Sequence, residues 1–532
     1  MYRTLLRARH IWLTALFFLT LGCSRLPQRA ELVFINGAEP EVLDPALISA
    51  QPTSRIANAI FEGLTIFSET ATILPGVAER WDISADGKIY TFHLRNNATW
   101  TNGDPVTSED FRYAWTRALR PETGCEYASQ LYPIQNAKPF NEGKINDAST
   151  LGISTPNPLT LQVTLENPTP YFLDLCAFST YLPVHRPTVE SHPDWATQTA
   201  HFVGNGPFLF KEWRLFDRVR LEKNHRYWNA QSIPLQSIDV LPASRPTTAF
   251  NLYATGQVDL MMDKGLAPTA LIDELRKRPD FHSGPFLGNY FIRFNITRPH
   301  LANPKVRQAL ALAFDKERIT TKITRAGETP AHSFVPPNTG RSYQPPTAPK
   351  RDLDKARELL AEAGYPNGKG LPVLTYLFRG ESDIDRDIAV EIQRTLEEQL
   401  GIKLLLRGLE WTVYLSNLSN LDYDLCRSSW VADYNDPNTF LNMFVTGDGN
   451  NRTGWSRKDY DQLIDQAAAE ADPEKRFSLF HQAERILVDT DPPICPLFYW
   501  VGIQFYDATR LAGITPNLLD EHPLRFIHWK RQ

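Results

Sequence analysis

Strand-like and helix-like segments alternate along this chain of 532 residues, and they do so in two successive sets. In the first set, residues 203–224 alternate as a hairpin. The apolar runs 237–243 and 257–263 read as strands, and a helical segment at 247–256 lies between them. Because alternating strands and helices are typical of α/β folds, this set predicts one α/β lobe.

A second set begins near Asn289 with another strand-like run. Asn303 precedes Pro304, which is the pairing expected at the start of a helix. Strand and helix patterns then alternate; residues 402–411 read as a strand with Trp411 at its end, and two helices are predicted at 457–471 and 473–488. The strand-like run 497–507 follows them. The sequence therefore predicts a second α/β lobe and a chain that returns to the first lobe near its end.

The segment between the start of the first lobe and residue 203 carries its own turn and cap signals. Asp86-Gly87 separates two alternating runs and predicts a hairpin. Thr107 is a suitable cap for the helical run 108–119, and residues 159–165 alternate as a strand. These patterns predict strands and one helix in this segment.

The first 23 residues have the composition of an export signal. Arg3, Arg7 and Arg9 precede about twelve apolar residues and then Cys23. A membrane span needs about 20 apolar residues, so this run is short for an anchor. The run Leu19–Cys23 resembles a bacterial lipobox, which implies that Cys23 is lipidated. Ordinary cleavage and a retained anchor are the alternatives.

Composition and motifs argue against several classes of function. Lys plus Arg total 56 and Asp plus Glu total 61, and no basic block stands out, so a nucleic-acid surface is not expected. There is no HExxH, GxSxG or phosphate loop, and the twelve histidines show no short ligand spacing. Cys125, Cys176, Cys426 and Cys495 lie far apart, and the sequence leaves their disulfide state open. We expect no enzyme, cofactor or metal site.

The stretch SSWVADYNDP, residues 428–437, places Asp433 among aromatic residues and turn formers. Read alone, Asp433 either caps a turn or supplies the charge of a ligand site. A buried carboxylate pairs well with an ammonium group, because a charge-assisted hydrogen bond is stronger than a neutral one. Asp433 is therefore a candidate anchor for a cationic ligand group.

Several motifs together resemble one family, the oligopeptide-binding periplasmic receptors of ABC importers. They are LDP (43–45), FEGL (61–64), PGVAERW (75–81), YTFHLR (90–95), NGDPVTSEDF (102–111) and ADYNDP (432–437). The same resemblance includes the motifs CEYAS (125–129) and LEW (409–411) and the spacing Arg427-x-x-Trp430. The resemblance covers almost the whole chain after Cys23. It implies an α/β, two-lobed periplasmic-binding-protein-like fold that has an additional small domain and encloses a ligand between the lobes.

The resemblance also implies a function and a set of partners. The chain is expected to bind peptides, to deliver them to ABC permease subunits, and to be an exported, lipid-anchored monomer. Another ligand of the same family (a murein peptide, dipeptide, nickel chelate or sugar) and a sensor or chaperone role are the alternatives. The expected division is a signal peptide (1–22), a lipidated N-terminus and linker (23–30), lobe I (31–60, 185–286 and 498–532), an additional domain (61–184) and lobe II (287–497).

The ligand-binding residues follow from the same resemblance, with Asp433 holding the peptide amino group. The further expected ligand residues are Trp430, Trp411, Arg427, Tyr127, Val431, Ser429, Tyr290, Phe291 and Ser49. Arg427 is alternatively the partner of a structural carboxylate. Ser49 stands where some members carry a second acidic residue for the amine, so Asp433 is expected to be the main anchor. The crossovers near 285–290 and 497–500 are the expected hinge.

Overall fold

The computed structural model describes residues 29–531. The predicted signal peptide and Cys23 lie outside the described residues. The strands are Leu32–Ile35, Thr65–Phe67, Ile73–Pro75, Ala78–Ile83, Ile89–Leu94, Ile153–Asn157, Thr160–Thr164, Phe208–Arg214, Arg218–Lys223, Ser237–Leu241, Leu260–Met262, Phe281–Phe294, Thr329–Pro330, Leu374–Arg379, Leu404–Leu409, Leu425–Val431, Ile494–Tyr506, Leu511–Ala512 and His528–Trp529. The α-helices are Gln51–Ile60, Ser108–Leu119, Ala137–Asn141, Phe172–Leu175, Arg186–Ser191, Pro246–Ala254, Ile272–Leu275, Pro299–Ala302, Pro304–Ala313, Lys316–Arg318, Leu353–Glu362, Asp383–Leu400, Trp411–Ser419, Asn438–Leu441, Lys458–Ala469 and Pro473–Arg485.

One mixed sheet of eleven strands runs through both halves of the molecule. Its order along the main path is Leu404–Leu409, Leu374–Arg379, Leu425–Val431, Phe281–Phe294, Ile494–Tyr506, Leu260–Met262, Leu32–Ile35, Ser237–Leu241, Arg218–Lys223 and Phe208–Arg214. Strands from residues 374–431 therefore lie at one end of the sheet, and strands from residues 32–35 and 208–241 lie towards the other end. Separate buried clusters pack at the two ends, which gives each half its own core.

Two long strands, Phe281–Phe294 and Ile494–Tyr506, join the two halves, and we call them the crossing strands. They pair in antiparallel fashion, and their register is interrupted between Pro285 and Asn289 and again between Tyr290 and Phe291. Such irregularities bend a strand and disrupt its ladder locally. They coincide with the segments where a hinge is expected. Hinge motion itself stays a prediction.

A four-stranded antiparallel sheet lies apart from the main sheet, within residues 78–164. Its hairpin turns at Asp86-Gly87 as predicted, because Gly87 adopts a φ of 69° that glycine reaches without strain. The helix Ser108–Leu119 packs beside this sheet. Asp110 accepts a hydrogen bond from the Thr107 backbone N–H at 2.7 Å, so the helix begins where the sequence predicts.

The FEGL motif meets residues 204–207, GNGP, in the first half of the molecule. The Asn205 side chain bonds both backbone groups of Glu62, accepting from its N–H and donating to its carbonyl at 2.9 Å each. The buried Glu62 carboxylate contacts the Trp228 indole at 2.7 Å, together with Tyr227 and Arg525. These contacts therefore tie the two segments together and contribute to the stability of the fold.

Gly204 has no room for a side chain, because a Cβ atom there would lie 2.2 Å from the Ile60 carbonyl oxygen. We expect Gly204→Ala to lower the free energy of unfolding by about 2 kcal/mol, since backbone must move to accept the methyl group. Urea denaturation monitored by circular dichroism measures this change. Gly449→Ala is the matched control, because nothing lies within 4 Å of a Cβ at Gly449. Equal losses in both variants would contradict the steric argument.

Two local expectations differ from the structure. Trp411 does not end a strand: the strand stops at Leu409, and Glu410 caps a helix that begins at Trp411 by accepting from the Thr412 N–H at 2.9 Å. The predicted helix 473–488 is α-helical only to Arg485 and then widens into a π-helical turn. Hydrophobic periodicity alone distinguishes neither the end of a strand from the start of a helix nor an α-helical from a π-helical turn, because Leu, Trp and Val occur in all of them.

The four described cysteines, Cys125, Cys176, Cys426 and Cys495, are free thiols, three of them buried. This resolves the disulfide question that the sequence leaves open for these residues. Within residues 29–531, no helix is both long enough and apolar enough to span a membrane.

Candidate functional site

A cavity of about 1280 Å³, part of it open to solvent, lies between the two halves of the molecule. Its walls come from the start of the first lobe, the additional region, the end of strand Leu425–Val431 and a late loop. The lining residues are Ile48, Ser49, Ala50, Gln51, Ser54, Asn58, Phe67, Tyr127, Ala177, Phe178, Ser179, Asp263, Phe286, Val431, Ala432, Asp433, Tyr434, Leu519, Asp520 and Glu521. We call this space the interlobe cavity.

The LDP motif fixes one wall of the interlobe cavity. The Asp44 carboxylate is buried and accepts two hydrogen bonds from the Arg117 guanidinium, at 2.9 and 2.6 Å. It also accepts from the Ala46 N–H at 3.1 Å. This bidentate arrangement is geometrically demanding, so it orients the chain that follows. Residues 48–54, which include Ser49, are thereby presented to the cavity.

Asp433 faces the interlobe cavity just after strand Leu425–Val431 ends. Its carboxylate accepts hydrogen bonds from Gln130 and Thr439, and its own N–H donates to the Thr439 hydroxyl at 3.2 Å. Burial raises the pKa of Asp433 to about 6, although these two hydrogen bonds act in the opposite direction. The site thus holds a carboxylate that lacks a cationic partner in the described chain and is costly to keep charged without one.

Tyr127 lines the interlobe cavity from the additional region and lies close to Asp433. Its ring packs against Phe178 with ring centroids 5.7 Å apart. Burial and then the nearby Asp433 charge raise the pKa of Tyr127 to about 12. The phenol therefore keeps its proton at neutral pH. It offers the cavity a neutral hydroxyl beside a carboxylate.

Asp436, three residues after Asp433, has a structural role. Its carboxylate accepts two hydrogen bonds from Arg476, at 2.7 and 2.8 Å, and both side chains are buried. Asp436 also accepts from the Asn438 N–H at 2.9 Å. The two carboxylates of DYND (433–436) thus have different roles: Asp436 fixes the loop, and Asp433 points into the cavity.

An aromatic contact joins the additional region to the second half at the side of the cavity. The rings of Tyr171 and Tyr434 stack at 4.1 Å with an angle of 5° between their planes. Asn438 donates to the Tyr434 hydroxyl at 3.1 Å and to the Tyr171 hydroxyl at 3.4 Å. This contact bridges residues that the expected domain division assigns to different units.

The charge of the interlobe cavity is one-sided. Its lining contains four carboxylates, Asp263, Asp433, Asp520 and Glu521, and none of the lining residues described is Lys or Arg. Asp520 is already engaged by Gln504 and His522. Burial raises the pKa of Glu521 to about 7, while Arg55 opposes that shift. The cavity therefore favours the positively charged part of a ligand.

Four of the ten predicted ligand residues line the interlobe cavity: Asp433, Tyr127, Val431 and Ser49. Val431 exposes 43% of its surface, so it presents an apolar edge next to the Asp433 carboxylate. These residues come from three separate parts of the chain. Their convergence is the arrangement that the family resemblance implies, and their contact with a ligand stays a prediction.

Arg427, Tyr290 and Trp411 belong to a different cluster. The Arg427 guanidinium lies 3.1 Å from the buried Asp385 carboxylate, which Arg379 also contacts at 2.8 Å. Arg427 thus has the structural carboxylate partner that was the alternative to a ligand role. Tyr290 is fully buried beneath Arg427, with its ring centroid 5.2 Å from the guanidinium carbon. Trp411 lies over Arg379 and outside the cavity lining.

The remaining predicted residues are held by protein partners. The Ser429 hydroxyl donates to the Asn289 carbonyl and accepts from the Trp500 indole N–H, both at 2.9 Å. Trp430 packs against the aromatic cluster of the second half. Phe291 lies in that cluster, fully buried, with its ring 5.0 Å from Phe334. This differs from the expectation that Phe291 backs the cleft, because its side chain points to the opposite face of the sheet from Tyr290.

The strand Leu425–Val431 offers one edge for a further strand. Residues 425–431 pair with 288–294 on one side, whereas on the other side only Leu425 and Cys426 pair with a described strand. The segment 427–431 ends directly before Asp433. An extended ligand backbone placed along this edge would reach the Asp433 carboxylate with its amino terminus.

Several residues that line the interlobe cavity, or that contact its lining, carry no signal in the sequence. Gln130 follows the CEYAS motif by one residue and contacts Asp433, whereas Asp263, Phe286 and Glu521 lie in unrelated segments. Their positions depend on the pairing of distant strands, which periodicity does not reveal. Only the proximity of Gln130 to Tyr127 along the chain could have suggested it.

Comparison with known proteins gives one family throughout. The family model of bacterial extracellular solute-binding proteins, family 5, matches residues 72–452. The dipeptide-binding protein DppE of Bacillus subtilis is 35% identical over 94% of this chain and 91% of its own length. The periplasmic oligopeptide-binding protein OppA of Salmonella typhimurium is 34% identical over 90% of this chain and 88% of its own.

A solved structure extends the likeness to three dimensions. The periplasmic oligopeptide-binding protein OppAIV of Borrelia burgdorferi superposes with a TM-score of 0.81 at 32% identity, covering 94% of this chain and 100% of that one. This match spans both halves and the additional region, and it confirms the predicted two-lobed α/β fold. The chain therefore belongs to family 5 of the bacterial extracellular solute-binding proteins.

Proposed function

We propose that this protein is an extracytoplasmic receptor that binds peptides in the interlobe cavity and delivers them to an ABC permease. The observation that carries the proposal is the Asp433 carboxylate, which faces a cavity whose described lining has no Lys or Arg. A free amino terminus supplies the missing cation. The similar proteins are named as dipeptide-binding and oligopeptide-binding proteins, which supports the same class of ligand.

The proposed pose follows from the neighbours of Asp433. The peptide amino group pairs with Asp433, and the Tyr127 hydroxyl lies beside it. The backbone runs along the open edge of residues 427–431, which gives affinity without reading side chains. The four carboxylates of the lining disfavour the peptide carboxylate there, so the ligand's carboxyl end extends away from this cavity.

Closure and delivery complete the proposal. Lobe I (31–60, 185–286 and 498–532) with its additional domain (61–184) closes on lobe II (287–497) by bending at 285–290 and 497–500. The register shifts in the crossing strands support this hinge. The closed form is presented to permease subunits, and the ligand is released chemically unchanged. A lipid on Cys23 tethers the receptor, which acts as a monomer.

The first test identifies the ligand. Native mass spectrometry of protein purified from cell extract is expected to show a bound species whose fragments are those of a peptide. Intact recovery of that peptide after long incubation supports a receptor over a hydrolase. A retained sugar, nickel chelate or other non-peptide ligand would contradict the proposal.

The second test addresses the amino group. In isothermal titration at pH 7, a peptide with a free amino terminus is expected to bind at least tenfold more tightly than its N-acetylated form. Acetylation removes the charge but leaves the backbone and side chains unchanged, so C-terminal amidation serves as the matched control. Equal affinities for the free and acetylated peptides would sink the proposed role of Asp433.

A further inference from the structure

Two histidines and one aspartate converge on the surface of the first half, outside the interlobe cavity. The rings of His192 and His201 stack at 4.1 Å with an angle of 14° between their planes. His201 Nδ1 lies 2.8 Å from the Asp194 carboxylate oxygen Oδ1. One ligand atom from each of the three residues lies within 4.8 Å of the other two. In the sequence, Asp194 follows His192 by two residues and His201 follows it by nine. This spacing matches no short metal-binding motif, which is why the sequence predicts no metal site here.

Backbone hydrogen bonds within the segment 188–201 hold these three residues in place. His192 ends the helix Arg186–Ser191, and its N–H donates to the Thr188 carbonyl at 3.0 Å. The Asp194 carbonyl accepts from the N–H groups of Thr197 and Gln198, both at 3.0 Å, and the His201 N–H donates to the Gln198 carbonyl. Successive short turns therefore bring the two histidines together.

The middle of the same loop is buried, which fixes the outward direction of the three side chains. Trp195 is 3% exposed and packs edge-on against Phe61, with ring centroids 6.4 Å apart. The Ala196 carbonyl accepts from the Leu43 N–H at 3.2 Å. The Asp194 and His201 side chains are 50% and 37% exposed, so an ion reaches them directly from solvent.

We propose that His192, Asp194 and His201 form a binding site for a divalent transition-metal ion of the Zn²⁺ class. Two imidazole nitrogens and one carboxylate oxygen are a donor set that such ions accept and that Mg²⁺ and Ca²⁺, which prefer oxygen ligands, do not. Zn–N and Zn–O bonds of about 2.0–2.2 Å place tetrahedral ligand atoms roughly 3.4 Å apart, so the three ligand atoms have to approach only slightly. At least one imidazole turns out of the stacked arrangement to direct its nitrogen at the ion. Water occupies the fourth, solvent-facing position, and the proton shared by His201 and Asp194 leaves when the ion binds.

The site has a defined structural consequence. The ion links the end of the helix Arg186–Ser191 to the residue that precedes Phe202, which packs against Phe61 and Phe210. Metal binding therefore closes the loop 192–201 and stabilises the folded state. Because none of the three residues lines the interlobe cavity, peptide affinity is expected to stay the same with and without the ion.

The experiment is a Zn²⁺ titration of chelator-treated full-length protein against a chromophoric competitor. We expect wild type to bind one equivalent of Zn²⁺ at this site. In the double variant His192→Ala/His201→Ala, the Zn²⁺ affinity of the site is expected to fall at least 100-fold. The conservative variant His201→Gln is expected to lose at least tenfold, with an unchanged circular dichroism spectrum. Mg²⁺ is expected to give no competition.

A matched control separates this site from an ordinary His–Asp pair. His93 lies 2.7 Å from Asp82 on the surface, but among residues 29–531 no second imidazole joins them in a three-ligand group, and His93→Ala is expected to bind Zn²⁺ as wild type does. Zn²⁺ is also expected to raise the melting temperature of wild type and of His93→Ala, but not that of the double variant. Equal Zn²⁺ stoichiometry and affinity in wild type and the double variant would overturn the proposal, whatever the peptide-binding result.

Discussion

Asp433→Asn is expected to lower the affinity for a free-amine peptide at least tenfold at pH 7, about 1.4 kcal/mol. The substitution keeps the size of the side chain and its contacts with Gln130 and Thr439 but removes the charge. An ammonium group enclosed between the lobes then loses its counter-ion, while the cost of taking it out of water remains. Isothermal titration calorimetry of both proteins with one peptide measures the change.

The same carboxylate sets a pH dependence. A pKa of about 6 in the empty protein means that Asp433 is mostly ionised at pH 7 and mostly protonated at pH 5. Because the ammonium group requires the ionised form, wild-type affinity is expected to fall about tenfold from pH 7 to pH 5. Asp433→Asn is expected to lose that part of the dependence. Glu521, a cavity carboxyl group with a pKa of about 7, contributes to any slope left in the variant.

The matched control for Asp433→Asn is Asp263→Asn. Asp263 lines the same cavity and caps a short turn by accepting from the Gly265 N–H, a bond that Asn preserves. Asp263→Asn removes one negative charge from the cavity, as Asp433→Asn does, but it is expected to change the peptide affinity less than threefold. If both variants lose affinity to the same extent, the cavity acts through its overall charge and Asp433 is not the anchor.

Local signals in the sequence predicted individual elements well. Asn303 and Pro304 mark the start of a helix because both act within a few residues, and the Asn303 side chain caps it by accepting from the Lys305 N–H at 3.0 Å. Trp411 was misplaced because strand and helix preferences overlap for aromatic residues, and Glu410 decided the outcome. The single sheet through both lobes could not be predicted, since it depends on pairing between strands far apart in sequence.

The candidate site was predicted in part for the same reason. Asp433 and Tyr127 were identified through motifs, and they share one cavity. Arg427 was also in a motif, but its partner Asp385 lies on the helix Asp383–Leu400, and an ion pair between distant elements leaves no periodic trace. Glu521 has neither a motif nor a neighbouring predicted residue. A motif therefore identifies a segment reliably, whereas the direction of each side chain depends on partners elsewhere in the chain.

Arg476→Met is expected to lower the free energy of unfolding by about 3–5 kcal/mol. Arg476 is 3% exposed, and its guanidinium holds the buried Asp436 carboxylate through two hydrogen bonds. Methionine fills much of the space but leaves that carboxylate without a counter-ion. Urea denaturation measures the loss. Arg186→Met is the control: its surface pair with Glu190 is more than half exposed, and a change within about 0.5 kcal/mol is expected.

A second substitution distinguishes the lost pair from lost packing. Arg476 also lies over the Phe480 ring at 4.6 Å, so part of the loss could come from that contact. Arg476→Met/Asp436→Asn removes the uncompensated charge while Asn keeps the cap on Asn438. If the buried charge is the main cost, the double variant recovers at least about half of the stability. A double variant as unstable as the single one would place the cost in packing and not in the uncompensated Asp436 charge.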